Sequence, residues 1–243
     1  KVLDLSRLSG IVKYLPEELY IKVKACTPIS LIEEFLEKNN QQLAFEPIDF
    51  GYLNDSKSNK GTAAGQLSCN FSGSRRFKAG SLRDHILGFR GVNGKGDIIK
   101  SGGTVVKNVT GYDLSKLVTG SFGTLTALTE ITFKVLPKKD SISTLVIYSE
   151  DNKVITDLFD QLLSSSNEIS GAVYIPVEPN NKNYTKNIEK IFKFNNLKSD
   201  EPFVAVRIEG SKKSIDERIQ DISQELQTNK MKTSILDFYQ SKL

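Results

Sequence analysis

Gly111-Tyr-Asp-Leu-Ser-Lys-Leu-Val-Thr-Gly-Ser-Phe-Gly-Thr-Leu125, with Thr129-Glu130 close behind, is the stretch on which the reading of this chain turns. Asp113 stands where a helix N-cap belongs, with Tyr112 as a packing residue beside it, and residues 114–118 predict a short helix. Gly120-Ser-Phe-Gly-Thr124 predicts a turn built from small residues. Residues 128–136 then alternate as a strand that stops at Pro137. Such turns leave the backbone N–H groups of Gly120, Ser121 and Gly123 unscreened by side chains, so a phosphate or a ring edge can approach. The same spacing also suits a tight helix-to-strand connection whose glycines serve geometry alone. On this stretch by itself both readings stand.

A second patch lies upstream, in Gly61-Thr-Ala-Ala-Gly65 and Ser72-Gly-Ser74. Small side chains let a ligand reach the backbone. Arg75, Arg76, Lys78 and Arg83 follow, either as partners for a phosphate or carboxylate or as a solvated basic loop. No GxGxxG follows a first strand and no GxxxxGK[ST] occurs, so neither a Rossmann dinucleotide site nor a P-loop is supported.

Composition narrows the chemistry further. The 243 residues carry a net charge of +4, with the basic residues dispersed among acidic ones, which gives no footprint for nucleic acid. Two cysteines, Cys26 and Cys69, cannot hold an iron–sulfur cluster, which needs about four thiolates. They are expected as buried apolar groups in a reduced, cytoplasmic setting. The single His85 excludes multi-histidine metal sites, and no metal ligands are assigned. His85 precedes Ile86 and Leu87 and reads as a structural histidine at the start of a strand. No apolar run approaches the roughly 20 residues needed to span a bilayer. No Ser/His/Asp or Cys/His set stands out, so catalytic residues stay unassigned and the chemistry falls to a cofactor.

Along the chain, residues 2–47 predict β–β–α–β, with residues 2–5 and 19–25 extended and a helix carrying Leu31, Ile32, Phe35 and Leu36. Residues 86–92 and 97–100 predict two strands around an Asn93-Gly-Lys-Gly96 turn. After Lys139 the pattern changes. Strands at 144–148, 172–175, 203–208 and 234–236 are interleaved with amphipathic helices at 154–163 and 215–226, and a short helix is expected near 188–192. The order β–α–β–β–α–β is that of the ferredoxin-like fold.

Read together, Asp4-Leu-Ser-Arg-Leu8, Thr27-Pro28, Phe45-Glu-Pro47, Gly61-Thr-Ala-Ala-Gly65, Arg83-Asp84, Leu87-Gly88 and Gly111-Tyr-Asp-Leu114 resemble, in order, the vanillyl-alcohol-oxidase-type (PCMH) FAD-binding family. Ser72-Gly-Ser-Arg-Arg76 and Gly102-Gly-Thr-Val-Val-Lys-Asn-Val-Thr-Gly-Tyr-Asp-Leu114 are similar to the FAD-binding subunits of glycolate oxidases. The chain departs from the superfamily's usual pattern at Ala64 and Phe122.

The resemblance implies an α+β fold. A PCMH-type FAD-binding domain of two α+β subdomains occupies residues 1–138, and a ferredoxin-like cap occupies 139–243. It implies FAD as cofactor, lined by Thr62, Ala63, Gly65, Gly80, Ser81, Gly120, Ser121, Gly123, Thr124, Glu130 and Ile131, largely through backbone. The reaction implied is oxidation of a 2-hydroxy acid, glycolate to glyoxylate, with electrons passed through the flavin to a partner. The partners implied are a second flavin subunit and an iron–sulfur subunit, in the cytoplasm, with membrane association through those subunits. A D-lactate dehydrogenase-like enzyme acting alone, or a non-catalytic flavin-binding or scaffolding subunit, are the rival expectations. The family's pyrophosphate loop lies upstream of the segment matched by Val2, and part of the cap follows Leu243. The chain is therefore expected to be a fragment that binds FAD poorly or not at all by itself. Covalent attachment is not expected, since His85, Cys26 and Cys69 stand in unmatched contexts.

Overall fold

The computed structural model describes residues 2–51, 57, 59–104, 111–176, 193, 195, 197, 201–228, 231–237 and 240–242. The fold is α+β, and the contacts divide the described residues into two compact units, one up to Lys138 and one from Lys139 onward.

The first unit is organised by a five-stranded antiparallel sheet. Its strands are β1 (Ile11–Leu15), β2 (Tyr20–Lys24), β4 (Ile86–Asn93), β5 (Ile98–Gly102) and β6 (Thr126–Lys134), in the order β1-β2-β6-β4-β5. A two-stranded pair, β3 (Gln41–Gln42) with β7 (Leu136–Pro137), lies outside it. One face of the main sheet is apolar because the period-two alternation sends Ile21, Val23, Phe89, Ile131 and Phe133 to the same side. Four helices cover that face: α1 (Ile29–Glu37), α2 (Ala63–Cys69), α4 (Leu82–His85) and α5 (Leu114–Val118). α1 inserts Ile29, Ile32 and Leu36, spaced three and four apart, while Ala63, Leu67, Leu82 and Val118 come from the other three. Leu31, one step off that stripe, is exposed. A further short helix, α3 (Arg76–Ala79), carries no buried residue.

Two expectations for this unit need correction. Residues 2–5 form no strand. A strand exists only by pairing, and the nearest backbone bond runs from the Leu8 N–H to the Leu5 carbonyl, closing a local turn. The strand expected after α1, before Pro47, falls on Gln41–Gln42, because it is there that β7 comes alongside, while residues 43–45 are buried without forming a strand.

The second unit holds β8 (Ser141–Tyr148), α6 (Asn152–Ser164), β9 (Gly171–Ile175), β10 (Phe203–Gly210), α7 (Lys212–Thr228) and β11 (Lys232–Leu236). The strand order is β11-β8-β10-β9, antiparallel throughout, which is the ferredoxin-like arrangement. α6 contributes Ile155, Leu158 and Leu162, and α7 contributes Ile215, Ile219, Ile222 and Leu226. They pack on Leu145, Ile147, Val204, Val206 and Ile208. On the other side of the sheet Val146, Phe203 and Leu236 form a smaller cluster. The helix expected near 188–192 lies outside the described residues.

Candidate functional site

α2 is the spine of the candidate site. Its N-cap, Thr62, is extended, and its hydroxyl accepts from the Gly65 N–H at 3.3 Å. The N–H groups of Ala63 and Ala64 donate to the carbonyls of Thr27 and Ala25, tying this end of the helix to the end of β2. Thr27 is buried, and its hydroxyl joins Gly10 to Lys24.

At the other end of α2 the carbonyls of Leu67 and Ser68 accept from the N–H groups of Gly120 and Phe122 at 3.0 and 2.8 Å. Asn70 sits in the left-handed region, ends the helix, and accepts from the Arg83 N–H through Oδ1 at 3.1 Å. Arg83 in turn donates from Nε to the Lys116 carbonyl of α5. Beside this, Asp84 accepts from both the N–H and the hydroxyl of Ser81, at 2.8 and 2.9 Å. These two hydrogen bonds hold the Asp84 carboxyl below its ordinary pKa, against a smaller desolvation. Gly80, at φ +88°, makes the bend that lets Asp84 reach back. One short helix thus carries Thr62–Gly65 at one end and, at the other, holds Gly120–Phe122 directly and the Gly80–Asp84 turn through the Arg83 N–H on Asn70.

The structure alters how these residues offer themselves. The N–H of Ser121 donates to Val118 and that of Thr124 to Ser121, so with Gly120 and Phe122 the turn's donors are largely committed internally. Of Gly120, Ser121 and Gly123, only Gly123 has no backbone acceptor among the described residues. What the turn presents is small-residue surface. Gly61, Gly65 and Gly123 are exposed, and a side-chain carbon at Gly61 or Gly123 would meet nothing within 4 Å. The fit is therefore to a flat ring or sugar laid against backbone. As a nest of donors for a diphosphate, the described residues fit poorly.

Glu130 and Ile131 part company. Ile131 is fully buried in the core, while Glu130 lies on the opposite face of β6, its carboxylate 3.6 Å from Lys22 Nζ. Tyr112 is 93% exposed, so it is no packing residue, whereas Asp113 does cap α5 by accepting from the Lys116 N–H. Cys26 and Cys69 are free and half-buried rather than buried, and desolvation raises the Cys26 thiol pKa. Among the described residues no group of three or more His, Cys, Asp or Glu side chains could hold a metal, and no helix is long and apolar enough to cross a membrane.

His85 is 2% exposed, at the end of α4 just before β4, with its ring 6.0 Å from that of Phe45. Its Nε2 lies 2.8 Å from the Ala79 carbonyl, which only accepts, so Nε2 carries the proton. Nδ1 is buried without a partner among the described residues. Nothing in the sequence beyond the apolar Ile86-Leu87 that follows reveals this lock. The network of Glu46 with Ser74 and Arg75 is likewise invisible from spacing: the Glu46 carboxylate accepts from the Ser74 hydroxyl and the Arg75 N–H, and Arg75 reaches Gln42. It shows that Arg75, open from the sequence to a ligand contact or to a solvated loop, is structurally engaged.

Residues 1–102 match the family described as "FAD binding domain". Over 138 residues the chain is 44% identical to glycolate oxidase subunit GlcE of Escherichia coli, covering 57% of this chain and 37% of that protein. It is 41% identical over 90 residues to glycolate oxidase subunit GlcD of Bacillus subtilis (37% and 19%), and 31% identical over 150 residues to a D-lactate dehydrogenase of Anaerostipes hadrus (62% and 30%). The chain thus spans little more than a third of these relatives at most. Among solved structures, an alkyldihydroxyacetonephosphate synthase superposes with a TM-score of 0.69 over 97% of this chain and 42% of its own, at 18% identity, a likeness of fold. Residues 1–102 thus resemble an FAD-binding domain, and the chain is similar over part of its length to glycolate oxidase subunits.

Proposed function

We propose that the first unit holds FAD against the small-residue surface arranged around α2, in a protein that oxidises a 2-hydroxy acid such as glycolate. The observation that carries this reading is the convergence of Thr62–Gly65, Gly80–Ser81 and Gly120–Thr124 on one seven-residue helix, within a fold shared with FAD-binding relatives. FAD, when bound, supplies the hydride acceptor. The chain's own part is to present glycine backbone to the ring system, to keep Gly80–Ser81 in place through Asp84, and to hold the 120–124 turn on the carbonyls of α2. On this reading the second unit is the ferredoxin-like cap of the enzyme. A second flavin subunit and an iron–sulfur subunit receive the electrons in the cytoplasm, and those subunits provide any association with a membrane.

The flavin is held non-covalently. His85 has its Nε2–H committed inside the protein and its ring buried. Cys69 ends α2 and Cys26 adjoins its other end, but both are half-buried, and desolvation raises the Cys26 thiol pKa and so disfavours its nucleophilic thiolate. Acid precipitation of flavin-loaded protein should leave a yellow supernatant; a yellow pellet would contradict this. The activity is tested by dye reduction with the holoprotein and its partner subunits, using glycolate beside D-lactate, since a D-lactate dehydrogenase is among the relatives. Faster reduction by glycolate supports the assignment, faster reduction by D-lactate transfers it to that substrate, and reduction by neither leaves a non-catalytic subunit.

A further inference from the structure

The face of the five-stranded sheet that the helices leave uncovered carries a second candidate site. The strand registers set two rows across it. Lys24, Glu130, Arg90 and Lys100 are successive cross-strand partners over β2, β6, β4 and β5. The next row is Lys22, Thr132, Gly88 and Gly102. Because three of the four residues in the second row are small, the sheet is hollow there. Lys22, Arg90, Lys100 and Glu130 stand around a cleft of about 600 Å³ floored by Gly88, Gly102 and Thr132. The glycines are required by the strands themselves: a side-chain carbon at Gly88 would lie 2.8 Å from the Gly103 nitrogen, and one at Gly102 2.0 Å from the Leu87 carbonyl oxygen. The hollow follows from that crowding, and the charges around it do not.

Arg90 and Lys100 are direct cross-strand partners, and like charges so placed repel. Glu130 sits beside Arg90 on the other side, but its carboxylate also serves Lys22 at 3.6 Å. Three cations therefore share one acid around a concave surface. The arrangement is completed by a ligand bearing more than one negative charge. Arg90 is suited to grip an oxyanion through two N–H groups, with Lys22 and Lys100 as flanking point charges. The cleft lies within the size range of small-molecule sites and exceeds a lone phosphate ion. It is on the face opposite α2, so it is separate from the proposed flavin surface.

We infer that this cleft binds a small multivalent oxyanion, a polycarboxylate or an organic phosphate. The test is calorimetric titration of the full 243-residue chain with citrate and, separately, with inorganic phosphate, at constant ionic strength. Two variants accompany it: the double variant R90Q/K100Q, and K153Q, which removes an exposed cation from α6. The expected result is saturable binding of at least one anion, weakened tenfold or more in R90Q/K100Q and unchanged in K153Q. E130Q should tighten it several-fold by removing the competing carboxylate. The tighter of the two anions identifies the carboxylate or the phosphate class. R90Q/K100Q should melt no lower than the parent, since it relieves a repulsion, so loss of binding will not reflect unfolding. No saturable binding of either anion, or equal weakening in K153Q, would overturn the inference.

Discussion

The imidazole of His85 donates from Nε2 to the Ala79 carbonyl, which leaves Nδ1 as a lone pair in the interior. Burial is the main cause that pushes its pKa below the ordinary value of 6.5. Lys134 and Arg75 push the same way, against the Ala79 bond and Asp84. In the unfolded chain the ring protonates near 6.5, and in the fold it does so only at lower pH. The unfolded state then binds more protons through that window. Stability is fully present above about pH 6.5 and falls as the pH drops toward the depressed folded value. Replacing the ring with phenylalanine, His85→Phe, should flatten this acid slope while costing about 0.5–1.5 kcal/mol at pH 8 for the lost hydrogen bond. Urea midpoints at pH 5.5 and pH 8 check it; equal acid slopes in both proteins would show that another group is responsible. Gly102 makes the second residue-scale prediction. At φ +71° and hard against the Leu87 carbonyl, it has no room for a methyl group. Gly102→Ala should cost at least about 1–3 kcal/mol, seen as a lowered denaturant midpoint.

Among the elements, the sequence was most legible where a face is buried. Ile215, Ile219, Ile222 and Leu226 announce α7, and each is in the core of the second unit. Ile222→Ala should therefore cost about 2–5 kcal/mol. The loss should appear in amide exchange as reduced protection of β8 and β10, with β2, β4 and β6 of the first unit unchanged. Equal loss of protection in both sheets would mean that the two cores are not separate. Legibility failed where structure depends on a distant partner. Val2 to Leu5 alternates well enough for a strand yet pairs with nothing described, and β3 is placed by β7, whose Pro137 and Leu136 lie opposite Gln41 and Gln42 and far along the chain. At the candidate site, Asp113 could be read as a cap because the signal is local. The commitment of the Gly120 and Phe122 N–H groups to α2 could not, since those acceptors lie more than 50 residues upstream. Glu130 and Ile131 are neighbours in sequence, but alternation along β6 sends them to opposite faces.

At the scale of the whole molecule, we propose that the first unit is a flavin-binding domain whose contact surface is the exposed backbone around α2. Most N–H groups there are already used, so few remain for a diphosphate. Binding of FAD by the 243-residue chain should therefore be saturable but weak, with a Kd of tens of micromolar or above, worth about 6 kcal/mol or less. Gly65 gives the sharpest handle on the surface. It is exposed and lies in the first turn of α2 with a helical backbone, and a side-chain carbon there would meet only the Thr62 hydroxyl, at 3.3 Å, a side chain able to shift by the few tenths of an ångström needed. Gly65→Leu should hold or raise the melting temperature, because glycine is about 1 kcal/mol worse than good helix formers, while covering the surface with a bulky group. The decisive measurement is a flavin-fluorescence titration of the parent chain and Gly65→Leu, with melting temperatures taken on the same samples. FAD binding at least tenfold weaker in the variant, at an unchanged or higher melting temperature, is expected. Equal affinity in the two proteins, or no saturable binding by the parent chain at millimolar FAD, would contradict it.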